Sequence, residues 1–292
     1  MINEKMKSIP RTIAEKRLIA APGIFDMVST LLADKMGFDA LFATGYGVVA
    51  SGYGLPDAGI ATYGDMLDRI ARMCTLANTP VIADADTGFG GPLNVRHTVQ
   101  GYESAGVCAI QLEDQEFPKR CGHTGPRPVI SCASMVHKID VAAHARHDDD
   151  FMIIARTDAR LSKGLDDALS RARQYHAAGA DIVFVEALQN EQEILQASES
   201  VGCPLTVNMA AGGLTPALSR DTLGKLGVAI ALYPTQPLFA ATSALHRAYG
   251  ALLNSGELED CGDLYEFSAF NELIGMNEVL EFEKQFPEPP GD

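Results

Sequence analysis

The stretch GPLNVRHTVQGYESAGVCAIQLEDQ, residues 91–115, decides the fold. Its first part is amphipathic and closes on Gly106, which is typical of a helix that ends at a glycine. Its second part, 109–115, is a short apolar run that ends in polar residues, as buried parallel strands do. The stretch therefore predicts a helix followed by a strand of a parallel sheet.

The same pattern recurs along the chain. Helix-like stretches that end near a glycine also occur at 25–39, with Gly37, and at 165–181, with Gly179. Eight units of this kind predict an α/β fold, a (β/α)8 TIM barrel. An open doubly wound sheet is the alternative, but the chain has no GxGxxG fingerprint. The predicted strands lie at 21–26, 40–45, 80–88, 109–115, 151–159, 181–187, 204–209 and 228–234.

The length of 292 residues suits one such barrel domain, over 1–292. An amphipathic stretch, 264–286, lies beyond the eighth strand and could pack on the barrel or on a neighbouring subunit. We therefore expect a C-terminal helical extension over 255–286, followed by a disordered tail, 287–292.

Charge and composition exclude several classes of partner. A net charge of −15 argues against nucleic acid and anionic membranes, although local cations in a cleft could still bind a small carboxylate. The chain has no apolar run of about 18 residues, the minimum for a membrane-spanning helix. Its six cysteines lie mostly in apolar runs and do not resemble a disulfide framework, so we expect a cytoplasmic protein.

Acidic side chains follow two neighbouring predicted strands, at the end of a barrel where active sites lie. Asp84 and Asp86 are two residues apart and so face the same side, and Glu113 ends the adjacent strand. Neighbouring carboxylates repel unless a cation lies between them, and Mg²⁺ prefers oxygen ligands. The pattern predicts a magnesium site, with Asp57 in the loop after the second strand as an outer ligand. The alternative is that the aspartates cap helices or pair with a lysine.

Arg156 ends the fifth strand, and Glu186 and Asn208 end the next two. An arginine in this position forms either an ion pair at the barrel mouth or a bidentate clamp on a carboxylate. Its neighbours favour the second possibility, which predicts a substrate carboxylate.

Cys121 lies in a long loop rich in proline and glycine, FPKRCGHTGPRP, residues 117–128. Lys119, Arg120 and His123 would favour its thiolate, so the thiol could act as an acid, a base or a nucleophile. Loops of this kind on barrels are commonly lids. The alternative is an exposed thiol with no task.

Six motifs that follow successive strands resemble the isocitrate lyase/phosphoenolpyruvate mutase superfamily over nearly the whole chain: DADTGFGG, IQLEDQ, KRCGH, IIARTDA, FVEA and VNM. KRCGH is similar to the short lyase branch, which includes lyases of 2-methylisocitrate and of 2-alkylmalates. The resemblance implies Mg²⁺-dependent cleavage of a carbon–carbon bond in a 2-hydroxy di- or tricarboxylate, with Mn²⁺ as a possible substitute. The products would be a 2-oxo acid, such as pyruvate, and a carboxylate.

The resemblance also implies residue roles. Asp86 would be the direct metal ligand, and Asp84, Asp57 and Glu113 would act largely through waters. Arg156 would hold the oxo oxygen or the carboxylate, and Cys121 would protonate the enediolate, with Glu113 and His123 in the same catalytic group. The substrate-binding residues would be Thr44, Gly45 and Tyr46 for the oxo-acid half, and Gly122, His123, Glu186 and Asn208 for the departing half.

The chain departs from the family pattern at several positions. Phe42 stands where lyases of the isocitrate type carry a tyrosine, which leaves the general base open, with Tyr46 nearby. Gln111, the segment NMAAGG (208–213) and Phe239 also differ from the tricarboxylate-cleaving members and favour a smaller dicarboxylate. Pro234, where oxaloacetate hydrolases would carry a serine, leans toward a lyase.

The remaining alternatives are an oxaloacetate hydrolase or decarboxylase of the same superfamily, and a non-catalytic protein that binds an oxo acid. The resemblance further implies a homotetramer in which the C-terminal helices are swapped between subunits.

Overall fold

The computed structural model describes residues 2–121 and 127–287. The chain divides into two compact units, Met1–Leu238 and Phe239–Asp292. The predicted extension, 255–286, falls within the second unit, and of the predicted tail only Pro287 is among the described residues.

The first unit contains eight parallel strands that close into a barrel in chain order, from β1 round to β8 and back to β1. Closure confirms the predicted (β/α)8 barrel and rules out the open sheet. The strands are β1 Ile19–Ile24, β2 Leu41–Ala43, β3 Val81–Asp84, β4 Ala109–Glu113, β5 Met152–Thr157, β6 Ile182–Val185, β7 Leu205–Asn208 and β8 Val228–Tyr233.

Helices connect the strands, and several begin at the side-chain caps that their sequences supply. The Asp26 carboxylate accepts a hydrogen bond from the Ser29 N–H at 2.7 Å at the start of α3. Gly106, with φ +88°, follows α6 in the left-handed conformation that a residue with a Cβ rarely adopts. The helices of the first unit are α1 Ile2–Met6, α2 Ser8–Ala14, α3 Met27–Lys35, α4 Gly45–Tyr53, α5 Tyr63–Leu76, α6 Pro92–Ser104, α7 Cys132–Ala145, α8 Ala159–Lys163, α9 Leu165–Ala177, α10 Glu191–Ser200 and α11 Arg220–Lys225.

Helix α12, Gln236–Asn254, runs from the end of the first unit into the second. A 3₁₀ turn at Leu258–Cys261 follows, then α13, Phe267–Leu273, and α14, Met276–Gln285. The amphipathic stretch 264–286 is thus two helices, because Gly275 between them takes φ +87°. Within residues 2–121 and 127–287, no helix combines the length and apolar character needed to cross a membrane.

The strands are buried on both faces, as parallel barrel strands are. Every residue of β3 to β7 is buried, which explains their continuous runs of Val, Ile, Leu and Ala. Charged residues enter these strands only towards the carboxyl ends. There the register places Asp84 beside Gln111 and Glu113 beside Arg156, so the functional side chains of neighbouring strands meet at one level.

Candidate active site

A cavity lies at the carboxyl ends of the strands, where the barrel fold predicts an active site. Predicted site residues that line it are Thr44, Tyr46, Asp57, Asp84, Glu113, Cys121, Arg156, Glu186 and Asn208. The same cavity is also lined by residues outside the predicted site: Phe42, Gln111, Lys119, Arg120, Phe184, Leu232, Pro234 and Thr235.

Lys119 joins the predicted metal-site carboxylates. Its ammonium forms ion pairs with Asp57 and, at 2.6 Å, with Oδ1 of Asp86, and all three side chains are buried. The lysine pair that the sequence left as an alternative for the aspartates therefore exists for Asp86. It does not replace the predicted cluster, because the acidic side chains still converge on a cation.

Backbone geometry positions Asp84, which ends β3, and Asp86, which follows it. Asp84 accepts hydrogen bonds from the N–H groups of Asp86 at 3.1 Å and of Gly45 at 3.3 Å. A Cβ added to Gly45 would lie 2.7 Å from the Asp84 carboxylate, so only glycine permits this approach. Asp86 takes φ +49°, an unfavourable conformation for a residue with a Cβ that is often held at functional sites.

The electrostatics of this cluster call for a cation. Burial raises the pKa of Asp86 to about 7, helped by Asp84 and Asp57 and opposed by Lys119. Burial also raises the pKa of Glu113 well above its usual range, and its Oε1 is buried without a hydrogen-bond partner among the described residues. A cation of higher charge than the Lys119 ammonium would stabilise the charged forms of both carboxylates.

The donor set suits a hard divalent ion that keeps part of its water shell. The side chains are all carboxylates, which Mg²⁺ prefers. Within the described part of the chain, no three His, Cys, Asp or Glu residues are grouped tightly enough to hold an ion by themselves. Mg²⁺ commonly uses only one or two direct carboxylates, with waters reaching the others, so the residues fit the predicted ion.

Arg156 lies beside this cluster and is held by several acidic groups. Its Nε and Nη2 each donate to the Asp158 carboxylate at 2.9 Å, and Nη2 also lies 3.2 Å from Glu186. Its guanidinium carbon is 5.0 Å from the centre of the Phe184 ring, and Nε is 3.5 Å from Glu113. Arg156 is thus an ion-pair partner in the barrel, but it also borders the cavity where a carboxylate could bind.

A buried network behind the cavity fixes Asp158. Its carboxylate also pairs with Arg127, and its N–H donates to Asp114 at 2.9 Å. Asp114 in turn accepts a hydrogen bond from the Tyr175 hydroxyl at 2.7 Å. Burial tends to raise the pKa of Asp158, but Arg156 and Arg127 outweigh it and the pKa is lowered.

Cys121 borders the cavity and is partly exposed. Its N–H donates to the Asp57 carbonyl at 3.1 Å, which ties the thiol's backbone to the carboxylate cluster. The charge of Lys119, expected to favour the thiolate, is engaged by Asp57 and Asp86. Gly122 and His123, predicted to bind substrate, lie outside the described residues.

Thr44 and Gly45 lie at the start of α4, and Glu186 and Asn208 lie at the ends of β6 and β7. Thr44 is the N-cap of α4, yet its side chain makes no capping bond. Glu186 accepts a hydrogen bond from the Asn208 amide at 3.2 Å, so the structure brings these two residues together. The start of α4, at Gly45, turns the positive end of a helix dipole toward the same region.

A family model described as phosphoenolpyruvate phosphomutase matches residues 11–253, most of the chain. The chain belongs to this family. The match confirms the superfamily that the motifs resemble.

Lyases are among the relatives of this phosphoenolpyruvate phosphomutase family member. A 2,3-dimethylmalate lyase of Eubacterium barkeri is 43% identical over 275 residues, covering 94% of this chain and 95% of the relative. A 2-methylisocitrate lyase of Aeropyrum pernix is 38% identical over 277 residues, covering 94% and 89%. These relatives confirm the predicted class of enzyme, a lyase.

Solved structures of other members share the fold. A 2,3-dimethylmalate lyase superposes with a TM-score of 0.90 at 33% identity, covering 97% of this chain and 95% of that one. An oxaloacetate acetylhydrolase bound to 3,3-difluorooxalacetate gives 0.91 at 30% identity, covering 98% and 99%. A phosphonopyruvate hydrolase complex with oxalate and Mg²⁺ gives 0.87 at 27% identity, covering 97% and 99%.

The sequence patterns do not assign the partners of three residues at this site, Lys119, Asp158 and Arg127. Lys119 was assigned to the thiol and not to the carboxylates, although a lysine partner for an aspartate was among the alternatives. Asp158, two residues after Arg156 in the motif IIARTDA, was not assigned to hold the arginine. The close spacing of opposite charges was the available signal for Asp158. No local signal pointed to Arg127, which is distant along the chain.

Proposed function

We propose that the protein is a Mg²⁺-dependent lyase that cleaves a 2-hydroxy dicarboxylate of the 2-alkylmalate type into a 2-oxo acid, such as pyruvate, and a carboxylate. One observation carries the proposal. A single cavity is lined by a carboxylate cluster suited to a divalent cation, by Arg156 and by the thiol of Cys121. Charge stabilisation and proton transfer can therefore act on one small molecule.

Asp86, Asp84, Asp57 and Glu113 would hold the metal ion. When bound, Mg²⁺ would supply positive charge to the hydroxyl oxygen and neighbouring carboxylate of the oxo-acid half. The family member solved with oxalate and Mg²⁺ supports this choice, and Mn²⁺, which also accepts oxygen ligands, is a possible substitute.

The protein's own groups would orient the substrate and move protons. Arg156 is held by Asp158 and would pair with a substrate carboxylate without first losing much conformational freedom. Thr44 and Tyr46 border the cavity at the start of α4, where the helix dipole favours a carboxylate.

Bond cleavage requires two proton transfers. A base takes the hydroxyl proton, the hydroxyl oxygen forms the oxo group, and the electrons of the broken carbon–carbon bond pass to the departing carboxylate as an enediolate. The Cys121 thiol donates a proton to the enediolate carbon, which completes the second product. Phe42 occupies the cavity wall where a tyrosine is expected, so a different group has to take the hydroxyl proton.

The cavity wall supports a substrate with small alkyl groups. The apolar part of the lining consists of Phe42, Phe184, Leu232 and Pro234. Among the described residues, the basic side chains of the lining are Lys119, Arg120 and Arg156. An apolar pocket discriminates a methylene by only about 1–3 kcal/mol, so related alkylmalates would be cleaved at different rates and none excluded. The similarity to 2,3-dimethylmalate lyase supports the same substrate class.

Hydrolysis of oxaloacetate is the second candidate. It is favoured by the high structural similarity to oxaloacetate acetylhydrolase, with a TM-score of 0.91. Pro234 in the cavity wall, where a serine is expected for this chemistry, is the feature that opposes it.

The deciding experiment measures product release by the purified protein with Mg²⁺. Substrates are 2,3-dimethylmalate, other 2-alkylmalates, 2-methylisocitrate and oxaloacetate, with pyruvate followed by lactate dehydrogenase and oxalate by chromatography. Cys121→Ser should abolish most turnover of a 2-alkylmalate. Cys203→Ser, at a partly exposed thiol that is not among the cavity-lining residues, should retain it. Oxalate and acetate from oxaloacetate, with no cleavage of the other substrates, would establish the second candidate. No turnover of any substrate would favour an oxo-acid-binding protein.

We also propose a homotetramer in which C-terminal helices are exchanged between subunits. Many large apolar side chains of the second unit are exposed in the single chain, which supports burial against another subunit. Light scattering would test it, because a monomeric mass contradicts the proposal. Among the exposed side chains are Leu245, Tyr249, Leu252, Leu253, Leu264, Tyr265, Phe267, Phe282 and Phe286.

A cytoplasmic location is likewise a proposal. Burial raises the pKa of Cys74 to about 12 and that of Cys108 to about 11, as expected for thiols that serve as small apolar side chains. Fractionation of the native cells, with immunodetection of the chain, would test the location.

A further inference from the structure

We propose that Lys119 competes with the divalent cation for the carboxylates of Asp57 and Asp86, so that metal binding expels the lysine and moves the segment that carries Cys121. This inference rests on the metal site of the proposed function. It adds to that function an internal competitor that sets metal affinity and couples metal binding to the position of the proposed acid.

The burial of Lys119 shows that its ammonium is committed to the carboxylates. The side chain is 3% exposed, and it pairs with both Asp57 and Asp86, which are 6% and 9% exposed. A lysine is almost never buried this deeply unless it is paired. The free energy of this pairing has to be given up before another cation can take the same oxygens.

The ammonium and a divalent ion cannot share these oxygens at low cost. Both would lie within a few ångström of the same carboxylates, in a buried region where like charges repel more strongly than in water. Asp57 and Asp86 lie in two separate loops, and the ammonium of Lys119 forms an ion pair with each of them. Whichever cation binds therefore replaces the other.

Release of Lys119 would be transmitted to Cys121. The two residues are separated by Arg120 alone, whose N–H and C=O are both hydrogen-bonded to the Gln115 side chain at 3.0 Å. The Cys121 N–H is bonded to the carbonyl of Asp57 itself, at 3.1 Å. Displacing the lysine from Asp57 would thus remove one of the contacts that hold the backbone of this segment, and with it the position of the thiol.

The first test compares Mn²⁺ binding by wild type and Lys119→Met, using the electron paramagnetic resonance signal of free Mn²⁺. If the ammonium occupies the carboxylates in at least about nine of ten molecules, removing it tightens Mn²⁺ binding about tenfold or more. Lys138→Met is the matched control, since the half-buried Lys138 donates to a carbonyl, that of Thr87 at 2.8 Å, and should leave affinity unchanged. Unchanged or weaker binding by Lys119→Met would overturn the proposal, as would absence of Mn²⁺ binding by both proteins.

A second test needs no variant and so does not depend on the folding of Lys119→Met. Wild-type protein is acetylated briefly with and without Mg²⁺, and the modification of each lysine is measured by mass spectrometry. Lys119 should be nearly inert without Mg²⁺ and several-fold more reactive with it, while Lys138 stays constant. Equal or lower reactivity of Lys119 with Mg²⁺ would refute its expulsion.

These outcomes are separable from those of the proposed function. Lyase turnover by wild type with Mg²⁺ and with EDTA tests the reaction and its metal requirement. A metal-dependent lyase whose Lys119 neither weakens Mn²⁺ binding nor becomes reactive would keep the function and lose only the competition.

Discussion

Asp158→Asn is the substitution that tests the architecture of the site most directly. The Asp158 side chain is fully buried and is the shared partner of two arginines, Arg156 and Arg127. An asparagine has nearly the same shape but carries no charge. We expect this change to lower the free energy of unfolding by about 3–5 kcal/mol, the usual cost of breaking a buried ion pair by removing one partner.

The geometry explains why the cost falls in this range. Oδ1 of Asp158 accepts from Nη2 of Arg156 and pairs with Arg127, while Oδ2 accepts from Nε of Arg156 at 2.9 Å. An asparagine oxygen could preserve the first two contacts, but its NH₂ group would then face the donor Nε of Arg156. One charge-assisted bond is lost, two donors oppose each other, and two buried guanidinium groups lose their counter-charge.

The assay is calorimetric unfolding of wild type and variant at pH 7. With about 2 °C per kcal/mol for a protein of this size, the midpoint should fall by about 6–10 °C. Asp68→Asn is the matched control, because the Asp68–Arg72 pair is 62% and 68% exposed and 3.3 Å long. Its removal should cost no more than about 0.5 kcal/mol. Equal midpoints for the two variants would refute the reasoning.

Activity and pH dependence should follow the same interaction. Arg156 without its two-point anchor can move by about 1 Å, a displacement that can reduce turnover about a hundredfold.

The pKa of Asp158 is lowered by the arginines against the effect of burial. The contribution of Asp158 to stability is therefore present above its unfolded pKa of about 3.9 and is lost as the pH falls through the folded value. The stability difference between wild type and Asp158→Asn should therefore stay constant from about pH 5 to 8.

Three further outcomes are expected. Tyr175→Phe removes the 2.7 Å bond to Asp114 and should lower the free energy of unfolding by about 1.5–3 kcal/mol in urea, and an unchanged value would contradict a role for that bond. Cys121 should react with iodoacetamide at pH 7.5 well before Cys74 and Cys203, because burial raises the pKa of both of these thiols to about 12, and equal labelling rates would contradict this. EDTA should abolish lyase turnover and added Mg²⁺ should restore it, whereas turnover that persists after dialysis against EDTA would exclude the proposed ion.

The barrel could be predicted because its signals are local. A strand buried on both faces is a continuous apolar run, and the runs of β2 to β8 close on polar residues that line the cavity. Boundaries are less local. β1 begins at Ile19, two residues before the predicted run, because Ile19 and Ala20 pair with Ile230 and Ala231 of β8, over two hundred positions away in the sequence.

The side chains at the strand ends could be predicted as a group, but their partners could not. Capping was the competing explanation for such residues, and at Asp158 it fails, since the carboxylate makes no capping bond to α8 and binds two arginines. The reach of Lys119 to Asp57 and Asp86 depends on how three separate loops fold over the barrel. Nothing in the local sequence distinguishes that contact from the expected one near Cys121.

The two charge clusters of the cavity lead to one consequence for the order of binding. The chain carries a net charge of −15, and the cavity adds buried carboxylates to an already unfavourable field for a dicarboxylate. Arg156 is largely neutralised by Asp158 and Glu186, and Lys119 by Asp57 and Asp86. Exchange of the ammonium of Lys119 for a divalent ion would raise the charge at the carboxylates by one unit. The ammonium would then no longer be neutralised by Asp57 and Asp86. A dianionic substrate should therefore bind strongly only after the metal, so its apparent affinity should rise with Mg²⁺ concentration even for a variant, such as Cys121→Ser, that cannot complete the reaction.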